Sequence, residues 1–67
     1  MPPKVRHLAQ KLVDAGFCEI PRRGKGSHRM FAHPRFAGAV TLSGALGNDA
    51  KPYQERQVRR AIEDTQS

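Results

Sequence analysis

Phe17-Cys18-Glu19-Ile20-Pro21-Arg22-Arg23-Gly24-Lys25-Gly26-Ser27-His28-Arg29-Met30-Phe31-Ala32-His33-Pro34 is the stretch on which the fold turns. Phe17 to Arg23 is a short run holding Phe, Cys and Ile that stops at Gly24-Lys25-Gly26, and Ser27 to His33 is a second run closed by His33-Pro34. Two such runs across a glycine turn predict paired strands. A third run, Ala39 to Ser43, sets Val40 and Leu42 on one face and Thr41 and Ser43 on the other, the period of a half-buried strand. The connections are too short for a crossover helix, so the spacing predicts an antiparallel meander.

Working outward, Val5, Leu8, Leu12 and Ala15 recur at helical spacing, with Ala9 and Val13 widening the stripe. Pro3 suits a position at or before a first turn, and Gly16 can take the left-handed conformation that closes a helix, so a helix is expected over about 4–15. Downstream, Gly44 to Asp49 reads as a glycine-containing loop. Pro52 then precedes Val58, Ala61 and Ile62, which share one face of a second helix running to about Asp64. Pro52 fits only a first turn, which leaves Asn48, Asp49 and Lys51 as alternative boundaries. Two amphipathic helices need a surface on which to bury their stripes, and one face of the sheet is available. The expected class is α+β, an α-β-β-β-α two-layer sandwich with a three-stranded antiparallel sheet and both helices on one face.

The chain has 67 residues, which predicts a single domain over 1–67 with a thin margin of stability. A partner that binds only the folded form would add to that margin. Cys18 is the only cysteine, so no internal disulfide can form, and the composition fits an intracellular protein. No apolar run approaches the ~20 residues needed to cross a bilayer, and the first residues lack the apolar core of a signal peptide. Cytoplasmic location without a membrane association is expected. The formal charge is +6, and the segment between Ile20 and Asn48 carries five basic residues, Arg22, Arg23, Lys25, Arg29 and Arg35, with no acidic one. Charge so concentrated suits a polyphosphate or an acidic protein surface.

Gly24 to His28 places two glycines, a cation, a hydroxyl and an imidazole at a strand start, and reads as either a site or a turn. Histidine is the side chain best suited to proton transfer near neutral pH. A phosphate-cradling P-loop does not fit, because its lysine follows the second glycine, whereas Lys25 lies between Gly24 and Gly26. Cys18, His28 and His33 show no C-x-x-C or H-x-x-x-H spacing, so no metal and no cofactor is expected. His33 is read as closing its strand, and Tyr53 as packing the second helix against the preceding loop.

Val5-Arg6 with Leu8, Ala15-Gly16-Phe17, Gly26-Ser27-His28 followed by Met30-Phe31-Ala32-His33-Pro34, and Val40-Thr41-Leu42 together resemble the HicA toxin family. The resemblance spans roughly residues 4–43 and rests on the order and spacing of these fragments. It implies an mRNA interferase, the toxin of a type II toxin–antitoxin pair, with a fold similar to a double-stranded-RNA-binding domain. It also implies an essential histidine in the G-S-H motif, here His28, and a HicB-like antitoxin that covers the active surface. From Ser43 to Tyr53 this chain departs from the family pattern of a proline, a histidine and a lysine-rich loop before G-T-L-R-x-I, and no loop residue is carried across.

On that basis His28 is expected to act as general acid/base on a ribose 2′-hydroxyl. Lys25 and Arg29 would stabilise the phosphorane, Arg22 and Arg23 would position phosphates, and Ser27 would orient the imidazole or the phosphate. Two other classes compete. A non-catalytic RNA-binding domain of the double-stranded-RNA-binding type accounts for the charge but not for Gly26-Ser27-His28. A protein-interaction module with an acidic partner predicts negligible RNA binding at physiological salt.

Overall fold

The structure, a computed structural model, describes residues 2–20 and 28–66. The expected element order is present: α1 (Val5–Asp14), β1 (Cys18–Ile20), β2 (Arg29–Ala32), β3 (Val40–Leu42) and α2 (Pro52–Gln66). β3 is shorter than the apolar run that announces it, β2 stops before His33, and α2 continues two residues past Asp64. The order in the sheet is β1-β2-β3, antiparallel throughout, with Glu19 facing Phe31 and Phe31 facing Val40 in register.

Register divides the sheet cleanly. Phe31, Val40 and Leu42 lie on one face and are buried with Val5, Leu8, Leu12, Phe17, Ala50, Val58 and Ala61. Cys18, Met30 and Thr41 lie on the other face, exposed or half-buried. α1 packs toward β1, α2 toward β3, and the helices touch each other, so the sandwich has two layers. Val13 is a correction. It is 49% exposed and does not widen the buried stripe, because the core is already closed by Leu8, Leu12 and Phe17.

The end of α1 follows from one glycine. Gly16 has φ +100°, its N–H donates to the Val13 carbonyl at 3.0 Å, and the Phe17 N–H donates to the Leu12 carbonyl at 2.9 Å. This pair of bonds is the Schellman closure, and it delivers the buried Phe17 back onto Leu12. The start of α1 has one local device, the Lys4 N–H donating to His7 Nδ1 at 3.0 Å, and it leaves the next two N–H groups without acceptors. The Val5 N–H donates to the Asn48 carbonyl at 2.9 Å and the Arg6 N–H to the Leu46 carbonyl at 3.1 Å. The loop between β3 and α2 therefore supplies the acceptors that a first turn lacks. Lys4 forms an isolated antiparallel bridge with Asp49, and their side chains form an ion pair.

The same loop organises α2. Among the three alternatives, Lys51 is the boundary residue: its carbonyl accepts from the Gln54 N–H at 2.9 Å, and its own N–H donates to Gln54 Oε1 at 2.9 Å. The Gln54 side chain reaching back to the Lys51 N–H is one half of a capping box, with Pro52 at the first helical position. Gln54 Nε2 also donates to the Ser43 carbonyl at 3.0 Å, which explains how an amide can be buried at this position. Val58 and Ala61 lie in the core as expected, while Ile62 is only partly buried against it.

Candidate active site

The chain has three histidines, and the structure gives each a different employment. His7 Nδ1 accepts the Lys4 N–H at 3.0 Å and belongs to the first turn of α1. His33 Nδ1 accepts the Arg35 N–H at 2.9 Å, and its ring lies 5.0 Å from that of Phe17, so it closes the β2 end as expected. His28 directly precedes β2, is exposed, and has no hydrogen-bond or ion-pair partner among the described residues. An imidazole in solvent that holds no part of the fold can accept and deliver protons to a bound substrate.

Strand alternation fixes what accompanies it. His28 is in phase with Met30 and Ala32, the residues of the open face, while Arg29 is in phase with Phe31 on the helix side. Arg29 Nη1 donates to Glu19 Oε2 at 2.9 Å, and both side chains remain partly exposed. Arg29 thus reaches toward β1 and lines a groove of about 250 Å³ together with Arg6, Val13 and Leu46. Arg22, Arg23, Lys25 and Ser27 lie outside the described residues.

Sequence reasoning missed Glu19 as the partner of Arg29. The signal was a carboxylate and a guanidinium on facing strands, two register positions apart, which becomes legible once the pairing is known. Tyr53 is a second correction. It was expected to pack α2 against the loop, but it is 50% exposed, because Gln54 rather than Tyr53 turns inward to bond the loop. Among the described residues no cluster of three or more His, Cys, Asp or Glu stands together, and no helix is long and apolar enough to cross a membrane.

A family model described as the HicA toxin of bacterial toxin–antitoxin matches residues 5–64, from the first residue of α1 almost to the end of α2. Neither the curated proteins nor the solved structures yield a match.

Proposed function

The chain belongs to the HicA toxin family of bacterial toxin–antitoxin systems, and from that premise we propose that it is an endoribonuclease cleaving mRNA in the cytoplasm, a single domain over residues 1–67, with His28 as its general acid/base. The observation that carries this reading is the contrast among the histidines: His7 and His33 are held by backbone N–H groups, and His28 is exposed at the tip of the sheet beside the basic segment.

In the proposed reaction His28 takes the proton of a ribose 2′-hydroxyl. The alkoxide attacks the adjacent phosphorus, the 5′-oxygen leaves, and the imidazolium returns a proton to it. The products are a 2′,3′-cyclic phosphate and a 5′-hydroxyl. Charge developing on the phosphorane needs cations. Lys25 is assigned that role; Arg29, which alternates to the other side of β2 from His28, is assigned with Arg22 and Arg23 to the positioning of flanking phosphates, and Ser27 to the orientation of the imidazole or phosphate. Arg29 would exchange Glu19 for a phosphate oxygen. A HicB-like antitoxin is the proposed neutralising partner, acting by covering this end of the sheet.

Induced expression of the wild-type chain and of His28→Ala, with total RNA inspected for new ends, tests the reading. Growth arrest and new RNA ends only with the wild type are expected. Identical behaviour with intact RNA would leave the non-catalytic RNA-binding domain in its place.

A further inference from the structure

Along the outer flank of α2 runs a groove of about 340 Å³, floored by Phe36 and Ala61 and walled by Tyr53, Arg56 and Arg60, with Asp64 at its far end. Tyr53, Arg56 and Arg60 recur at helical spacing, so they form one row on the helix surface. Arg56 and Arg60 are like charges four residues apart, an arrangement that opposes the helix unless an anion lies between them. Among the described residues neither is held in an ion pair. Tyr53 is half-exposed in the same row, with no core position to fill.

The groove begins at the end of the sheet where His28 lies. Arg29 is the register partner of Leu42, Ser43 follows Leu42, and the Ser43 carbonyl accepts from Gln54, next to Tyr53. A polymer leaving His28 on the open face would turn round the end of β3 to the helix layer, where Tyr53 comes first and Arg56 and Arg60 follow. An aromatic face followed by evenly spaced guanidinium groups matches the alternation of base and phosphate in a single strand.

We propose that this α2 groove binds the single-stranded RNA that flanks the cleaved bond, with Tyr53 stacking on a base and Arg56 and Arg60 contacting phosphates. The inference deepens the RNA-cleaving reading and rests on it for the identity of the strand. Tyr53, Arg56 and Arg60 are positioning residues, remote from the reacting atoms.

The test measures binding of a labelled 12-nucleotide RNA to the full chain carrying His28→Ala, by fluorescence anisotropy over a salt series, with cleavage by the His28 chain followed in parallel. Tyr53→Ala is expected to weaken binding about tenfold and Tyr53→Phe to leave it intact. Arg56→Ala with Arg60→Ala is expected to flatten the log–log salt slope by about 1.4, the value for two single-strand phosphates. These side chains are exposed, so no variant is expected to melt below the parent chain, and the double arginine variant is expected to melt slightly higher. Unchanged affinity and slope overturn the groove proposal, even if His28→Ala abolishes cleavage and so supports the catalytic reading. Weakened binding without cleavage by any chain supports the groove and overturns the catalytic reading. Loss of polyglutamate binding with RNA affinity intact reassigns the groove to an acidic protein surface and overturns the proposal.

Discussion

Arg29 and Glu19 form a diagonal pair across the β1–β2 ladder, the guanidinium 2.9 Å from the carboxylate, although the register partner of Glu19 is Phe31. Both side chains are partly exposed, so the pair contributes at most about 1 kcal/mol to folding. Glu19→Gln is therefore expected to leave the urea midpoint almost unchanged. It also releases Arg29, and RNA affinity is expected to rise about two- to fivefold, the equivalent of one surface pair no longer competing with phosphate. Unchanged affinity would remove Arg29 from the RNA contacts.

Cleavage by transfer from a 2′-hydroxyl leaves a recognisable product. The new downstream ends are expected to carry 5′-hydroxyls, labelled by polynucleotide kinase without prior phosphatase, and cleavage is expected to persist in excess EDTA. Ends carrying 5′-phosphate, or activity abolished by the chelator and restored by a divalent cation, would put a metal-activated water where His28 has been assigned.

Gly16→Ala is expected to destabilise the chain by about 1–3 kcal/mol. Its φ of +100° disfavours any side chain, and a Cβ there would lie 3.0 Å from His33 Nε2. Each kcal/mol lost corresponds to roughly 4–8 °C in Tm for a domain of this size. A thermal melt displaced by less than about 3 °C would show that His33 moves aside and that the Schellman closure tolerates alanine.

Gln54→Ala removes both side-chain bonds from Gln54 to the loop, leaving the Lys51 N–H and the Ser43 carbonyl without their side-chain partner. A loss of about 1–3 kcal/mol is expected. Because the same loop supplies the acceptors for the first turn of α1, amide exchange at Val5 and Arg6 should accelerate along with exchange in α2. Acceleration confined to α2 would mean that the two helix starts are held independently.

What sequence alone made legible was whatever depends on period. Phe31, Val40 and Leu42 share a face because strand side chains alternate, and Val5, Leu8 and Leu12 share one because a helix returns every three or four residues. Gly16 announced its own turn. What stayed hidden depends on partners distant along the chain: Val13 is left outside because Phe17 folds back beneath the helix, and Gln54 is buried because Ser43 and Lys51 receive its amide. The candidate site divides the same way. His28 is marked by its motif, whereas Glu19 and the Tyr53 row acquire meaning only once strands and helix are placed side by side.

The bridge from Lys4 to Asp49 spans 45 residues of chain. During synthesis at about 5–20 residues per second, roughly 2–9 s separate the two partners, and α1 spends that interval without the acceptors at Leu46 and Asn48. Since α2 follows the loop, all three strands are synthesised before the sheet can gain its second covering helix. The nascent chain thus passes through part of its own manufacture with the first turn of α1 short of two acceptors and the sheet, until α2 follows, only half covered.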